Sequence, residues 1–251
     1  DDEYGQKLIK VAQANIITYS IDTPSDIRAE DLNFDSEGMT FNIVASNAKF
    51  KIRASLIGRH NVYNILAAFA VGFCENIASE DIIAGISNLE GVPGRLERIK
   101  GDYPFSVFID YAHTENALQN VLATLGKIKQ NRLILVFGCG GNRDTTKRAK
   151  MGRIAEDMAD SVIITSDNPR NENPQGIIKD ILSGIKNKDK CDIILERYSA
   201  ITKALSLAEE GDIVLIAGKG HEQYQILKNK KIHFDDRKTA KNILDKKFNI
   251  E

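Results

Sequence analysis

The clearest pattern in the chain lies in its second half, where short runs of β-branched and other apolar residues alternate with segments whose apolar residues recur every three or four positions. The compact runs fall at 107–110, 133–137, 162–165, 193–195 and 213–217, and each reads as a buried strand. Between them, Ala117, Leu118, Val121, Leu122, Leu125 and Ile128 line one face of a helix. Ile154, Ala155 and Met158 repeat the device, as do Ile177, Ile178, Ile181, Leu182 and Ile185. Strands alternating with helices of this kind predict an α/β fold, here a doubly wound, mostly parallel, Rossmann-like domain.

The first hundred residues are mixed. A helical stretch at 4–13 precedes extended runs at 39–44 and 50–56; an Ala-rich apolar helix at 64–73 and a second helix at 81–89 follow. They read as the tail of an α/β or α+β domain. Gly91, Pro93 and Gly94 then punctuate the chain, so the boundary is expected between 91 and 101, giving domains at 1–98 and 99–251.

Composition narrows the classes of function. With 34 Lys and Arg against 35 Asp and Glu, the net charge is −1, and the pI of about 6.5 gives no basic face for a nucleic acid to grip. No run approaches the roughly 20 apolar residues of a spanning helix, and the opening DDEYGQKLIK lacks a signal-peptide pattern, so neither membrane nor export is expected. Cys74, Cys139 and Cys191 suit neither a disulfide framework nor paired metal-ligand spacing. A cytoplasmic monomer is the expectation.

In a doubly wound sheet, ligands bind beyond the carboxyl ends of the strands, and four such loops carry ionisable groups. The first is Asp110-Tyr111-Ala112-His113, which also suits a helix cap built on Asp110 or Thr114. The second is Gly138-Cys139-Gly140-Gly141-Asn142-Arg143-Asp144, a glycine-rich turn that matches neither GxGxxG nor GxxxxGK[ST]; Arg143 at its tip could hold one anionic group. The third, Asp167-Asn168-Pro169-Arg170, offers acceptors for an ammonium and a guanidinium for a carboxylate within four residues, with Pro169 stiffening the turn. The fourth is Gly218-Lys219-Gly220-His221-Glu222. Each alone could be an ordinary capped turn; four at one sheet edge point to a ligand cleft. His113, His221 and His233 are too scattered for zinc spacing, Cys139 lacks a placed base, and the Lys-rich stretch 228–231 reads as a solvated turn.

These motifs, with Asn61-Val62-Tyr63-Asn64 and Gly91-Val92-Pro93-Gly94-Arg95-Leu96-Glu97 before them, resemble in order and spacing those of the Mur ligases, the ATP-dependent amino-acid ligases of peptidoglycan synthesis. Within that family the chain is most similar to the branch that adds meso-2,6-diaminopimelate to UDP-N-acetylmuramoyl-L-alanyl-D-glutamate. The resemblance implies an enzyme using ATP and Mg2+, with small-molecule substrates and no metal site in these residues. It also implies that 1–98 is the later part of a central ATPase domain and 99–251 a C-terminal Rossmann-like amino-acid-binding domain. The family's phosphate-binding loop ending in Gly-Lys-Thr and its carbamylated lysine have no match in this sequence, so the chain is expected to be part of the ligase and inactive alone.

Residue by residue, Asn61, Arg95 and Asp110 match nucleotide-contacting positions, with Asn64 and Tyr111 as weaker matches. Arg143, Asp167, Asn168, Pro169, Arg170, Gly218 and Glu222 match positions that bind the incoming diamino acid, and Arg170 is expected to favour diaminopimelate over L-lysine. The chain departs from the family pattern at His60, Asn142, Thr146 and Ala149. A lysine-adding relative, a folylpolyglutamate synthase-like ligase and a non-catalytic amino-acid-binding module are the competing readings.

Overall fold

The computed structural model describes residues 1–249. They form two compact units that divide between Gly91 and Val92.

The first unit opens with helix α1 (Glu3–Ile9), whose first turn is closed by Asp2: its carboxylate accepts from the Tyr4 and Gly5 amides at 2.9 and 3.0 Å. Strands β1 (Tyr19–Ser20), β2 (Ile27–Asp35), β3 (Gly38–Ala45) and β4 (Ala48–Ala54) follow and form one sheet in that order. β1 runs parallel to β2, and the others are antiparallel. Along β3, Met39, Phe41, Ile43 and Ala45 are buried at every second position. They share a core with Val62, Ile65, Leu66 and Phe69 of α2 (Arg59–Cys74), and α3 (Ser79–Ser87) adds partly buried Ile82, Ile83 and Ile86. Residues 27–35 gave no strand signal because acidic positions interrupt the apolar alternation. Only Ile27 and Ala29 of β2 are fully buried, and a register shift between Glu30 and Asn33 breaks the ladder.

The second unit is built on a six-stranded sheet. β5 (Glu97–Arg98) pairs antiparallel with β6 (Ser106–Asp110); β7 (Leu133–Phe137), β8 (Ser161–Ile164), β9 (Cys191–Ile193) and β10 (Ile213–Ala217) complete the order β5-β6-β10-β7-β8-β9. From β6 to β9 across the sheet every neighbouring pair is parallel. The runs β6, β7 and β10 are buried at every residue, as both-face coverage demands.

Helices α4 (Glu115–Gly126), α5 (Thr146–Met158), α6 (Pro174–Leu182), α7 (Arg197–Leu207) and α8 (Asp236–Phe248) complete the unit, with a 3-10 turn at 188–190 and the antiparallel ribbon β11 (Tyr224–Leu227) and β12 (Lys230–His233). On one sheet face Val107, Ile109, Ile134, Val136, Ile163, Val214 and Ile216 pack with Ala200, Ile201, Ala204 and Leu205 of α7 and Ala240 and Leu244 of α8. Thr114 and Asn173 cap α4 and α6 through their side chains, and Pro174 occupies the first turn of α6.

The compact units divide at Gly91/Val92 rather than at 98/99. The reason is β5: Glu97 and Arg98 pair with Ile109 and Phe108, and the Tyr111 amide donates to Gly94 O at 2.8 Å, tying 92–98 to the second sheet. The strand expected at 193–195 lies at Cys191–Ile193 on the sheet edge, and that expected at 162–165 starts one residue earlier. Helix 4–13 stops at Ile9. Among the described residues, no helix is long and apolar enough to cross a membrane.

Candidate functional site

Because β10 lies between β6 and β7, with β8 beyond, the four loops noted in the sequence become neighbours along one sheet edge. Gly218, the first residue past β10, is where they meet. Its amide donates to Asp110 O at 3.0 Å. A methyl group in place of its hydrogen would stand 2.9 Å from Asp167 Oδ2 and 3.7 Å from Gly138 O. With φ at +111°, the position suits glycine on backbone grounds as well.

The turn after β8 carries the densest chemistry. Asp167 is buried, and burial pushes its carboxyl above the usual range, with Arg197 and Lys219 pulling the other way. Asn168 is a hub: its Nδ2 donates to Glu222 Oε2 at 2.9 Å, and its Oδ1 accepts from the Ile226 amide at 2.9 Å and from Lys219 Nζ at 3.3 Å. Lys219, fully buried, also meets Glu222 Oε2 at 3.2 Å. Pro169 is buried, and Arg170 takes a left-handed backbone with φ at +52°.

The glycine-rich turn after β7 is fastened to this one. Gly141 N donates to Asn168 O at 2.9 Å, while Arg170 Nη1 donates to Gly141 O at 2.8 Å and to Asn168 O at 3.4 Å. A methyl at Gly140 would meet Arg170 Nη1 at 2.9 Å and Arg143 Cγ at 3.9 Å, so two arginine side chains converge on that glycine. Arg143 itself is exposed at the tip. Asn142 also has a left-handed backbone, φ +52°, which Asn tolerates, and its Oδ1 accepts from Asn171 N at 3.1 Å. Thr146 opens α5 with its amide and hydroxyl on Asp144 Oδ1 at 2.9 and 2.7 Å. Ala149 presents its carbonyl to Gly184, where an added methyl would stand 1.8 Å away.

The turn after β6 makes a second cluster at the same edge. The Asp110 carboxylate accepts from the Leu96 and Ala112 amides, both at 2.7 Å. The exposed Arg95 guanidinium lies 5.1 Å from the Tyr111 ring centroid, and the His113 and His221 rings lie 4.5 and 5.5 Å from it. In the first unit, Asn61 is buried with Nδ2 on Ile57 O at 2.9 Å, and exposed Asn64 donates to Asn61 Oδ1 at 3.1 Å; His60 is exposed on the same helical turn.

Several side chains had no sequence signal. Arg148 is buried in α5 and joins Asp180 Oδ2 at 2.8 Å, Glu172 Oε2 at 2.9 Å and Gly140 O at 3.3 Å, bracing the glycine turn. Arg197 and Asp236, fully buried, form a two-pronged ion pair beneath β10; Arg197 Nη2 also donates to Ala217 O at 3.1 Å. Such lone charged residues on helices look solvated until the fold buries them. Lys219 lay inside a motif already singled out, and its position between two glycines was the available clue. Cys139 is buried beside Met151 Sδ at 3.8 Å, and burial pushes its thiol up to about 12, so it packs as a small turn residue.

Fold and edge together define a doubly wound α/β domain with its ionisable side chains gathered at the carboxyl edge of the sheet. Residues 94–220 match the model of the Mur ligase glutamate ligase domain and residues 1–72 that of the Mur ligase middle domain. The chain belongs to the Mur ligase family. It is 44% identical over 245 residues to the UDP-N-acetylmuramoyl-L-alanyl-D-glutamate--2,6-diaminopimelate ligase of Solibacter usitatus, a match covering 97% of this chain and 50% of that protein. To the enzyme of the same name from Clostridium botulinum it is 42% identical, over 97% of this chain and 51% of the relative. A solved structure of a ligase of that name superposes with a TM-score of 0.76 at 37% identity, covering 98% of this chain and 52% of the other. The chain thus spans about half the length of the curated relatives it matches.

Proposed function

We propose that this chain is the amino-acid-binding portion of an ATP-dependent ligase that adds meso-2,6-diaminopimelate to UDP-N-acetylmuramoyl-L-alanyl-D-glutamate, acting in the cytoplasm as a monomer. The observation that carries the reading is the meeting of three turns: those bearing Arg143 and Asp167–Arg170, welded by the Gly141–Asn168 and Arg170–Gly141 hydrogen bonds, and the one bearing Glu222, held by Asn168. Such a site offers carboxylates to an ammonium and guanidinium groups to carboxylates, the two needs of a diamino diacid.

In this reaction ATP phosphorylates the side-chain carboxyl of D-glutamate. The amino group of diaminopimelate then attacks the acyl phosphate, and phosphate leaves as the amide forms. This chain's residues bind and orient. Glu222 and Asp167 face the ammonium end, Asn168 and Lys219 fix Glu222 in place, and Arg143 with Arg170 grips the carboxylates. Within the second unit Arg95, Asp110 and Tyr111, and within the first Asn61 and Asn64, keep the nucleotide-contacting roles that their motifs imply. Among the described residues, no group of three or more His, Cys, Asp or Glu side chains is placed to hold a metal ion. The sequence also contains no GxxxxGK[ST] loop, and phosphoryl transfer is assigned to other parts of the ligase.

Diaminopimelate differs from L-lysine by its second carboxylate, and a guanidinium rewards that group while leaving lysine's ammonium beside a like charge. The test is kinetic, on the intact ligase with each amino acid. Arg170→Ala is expected to raise the KM for diaminopimelate about 30-fold, the equivalent of about 2 kcal/mol for a charge-assisted contact, and leave the KM for ATP unchanged. Unchanged diaminopimelate kinetics, or preference of the unaltered enzyme for lysine, would overturn the assignment.

A further inference from the structure

The ribbon β11–β12 lies outside the six-stranded sheet and outside the stretch 94–220 that matches the family domain. A two-stranded ribbon leaves an open edge of backbone donors and acceptors that must be paired or solvated. Here the edge of β11 is closed by the Asp167–Arg170 turn. The Ile226 amide donates to Asn168 Oδ1 at 2.9 Å, Ile226 O accepts from the Arg170 amide at 3.1 Å, and the Lys228 amide donates to Arg170 O at 2.7 Å. Arg170 and Leu227 form a parallel bridge, so the turn is held to the ribbon as a one-residue strand would be.

Gln225 completes the attachment. It is buried at 6% exposure, and its Nε2 donates to Asp167 O at 2.7 Å and to Ser166 O at 3.3 Å. One side chain therefore reaches the backbone just before Asn168 while its neighbour Ile226 holds the Asn168 side chain and the Arg170 backbone. The left-handed conformation of Arg170 is one a non-glycine residue keeps only when its surroundings impose it. The ribbon supplies the backbone hydrogen bonds on both sides of it, from its N–H to Ile226 O and from the Lys228 amide to its own carbonyl.

We propose that the β11–β12 ribbon is the positioning element of the amino-acid site, and that Gln225 is the positioning residue through which it aims Arg170 and Asn168. The inference rests on the function proposed above and adds to it a determinant of specificity that touches no substrate. Docked, the ribbon holds the Arg170 backbone and the Asn168 side chain, from which the guanidinium and Glu222 are set. Loosened, it lets Arg170 drift, and selection for the second carboxylate falls.

Gln225→Met keeps length and removes the donor, and two measurements read it. In this chain, amide hydrogen exchange should quicken at Arg170, Ile226 and Lys228 while Leu135 and Leu215 in the central strands keep their protection. In the intact ligase, the KM for diaminopimelate should rise tenfold or more, as small misplacements in a binding site do, with kcat and the KM for ATP within about twofold and the preference over lysine narrowed. Wild-type exchange at the three amides, loss of protection throughout the central strands, or an unchanged diaminopimelate KM would each overturn the inference. If the unaltered ligase does not turn over diaminopimelate, the proposed substrate falls instead, and the exchange measurement still decides whether Gln225 docks the ribbon.

Discussion

Arg197 and Asp236 face each other with both side chains wholly removed from solvent, Nε to Oδ1 and Nη2 to Oδ2, each at 2.7 Å. One residue opens α7 and the other opens α8, so the pair joins the two helices that cover one face of the sheet. Removing one partner leaves a buried charge uncompensated, which costs about 3–5 kcal/mol. Asp236→Ala is therefore expected to lower the unfolding free energy by about that much, measured by urea denaturation. The double change Arg197→Met with Asp236→Leu is expected to cost less than the sum of the single changes. Additive losses would show that the two charges do not depend on each other.

Gly141 has no room for a side chain, since a methyl there would stand 2.0 Å from Pro169 O. Gly141→Ala must push the glycine-rich turn away from the Asp167–Arg170 turn and stretch the Arg170–Gly141 hydrogen bond. We expect destabilisation of about 1–3 kcal/mol together with weaker binding of the diamino acid. Calorimetric titration and thermal unfolding, run on the same variant, check both. Full affinity in a folded Gly141→Ala protein would show that the two turns need not be joined.

Asp167 gives a pH dependence whose sign is fixed by burial. Its folded-state pKa is raised above the ordinary 3.8, burial outweighing the pull of Arg197 and Lys219. The folded protein thus holds this proton more tightly than the unfolded chain, and the associated stability is present below 3.8 and lost as pH rises through the folded value. Asp167→Asn, which cannot ionise, should escape that loss. The stability of the variant relative to the parent should therefore grow as pH is raised from about 4 and then level off once the parent's carboxyl has ionised. A difference that shrinks with rising pH would mean that the carboxylate is stabilised where it sits.

The cysteines should separate by reactivity. Cys74 is exposed, Cys191 partly covered and Cys139 buried with its thiol raised to about 12. At pH 8 a thiol reagent is expected to modify Cys74 first, Cys191 slowly, and Cys139 only on unfolding. Mass spectrometry after timed quenching distinguishes the three. Early labelling of Cys139 would place the glycine turn in an open state under native conditions.

The parallel sheet was legible because its strands are uninterrupted apolar runs; 133–137 and 213–217 coincide with β7 and β10. The four edge loops were legible because strand order in such a sheet places functional groups at carboxyl ends. What the sequence hid was the material that serves those groups from elsewhere. Gln225 sits in a ribbon of which only 228–231 drew a reading, as a solvated turn, because Lys228, Lys230 and Lys231 mask the short apolar alternation of Tyr224, Ile226 and Ile232. Arg148, Arg197 and Asp236 occupy positions on polar-looking helices, and only tertiary burial turns them from surface charges into braces. Asn168 is a different lesson. Its residue type suggested a direct contact with an ammonium, whereas its amide is engaged with Glu222, Lys219 and the Ile226 backbone.

The strand order has a consequence for how this unit comes into being on the ribosome. β6 and β7 are consecutive in the chain but not adjacent in space; β10, which separates them, is the last of the parallel strands to be synthesised. Until residues 213–217 emerge, β6 and β7 each expose an apolar, unpaired flank, and pairing β10 to β6 closes a loop of about a hundred residues, a slow kind of contact to make. A nascent chain stalled before that point would hold two half-sheets and be a natural client for chaperones. The arrival of one pentapeptide, Ile213–Ala217, would then complete the sheet and deliver Gly218 to the place where the other three loops converge.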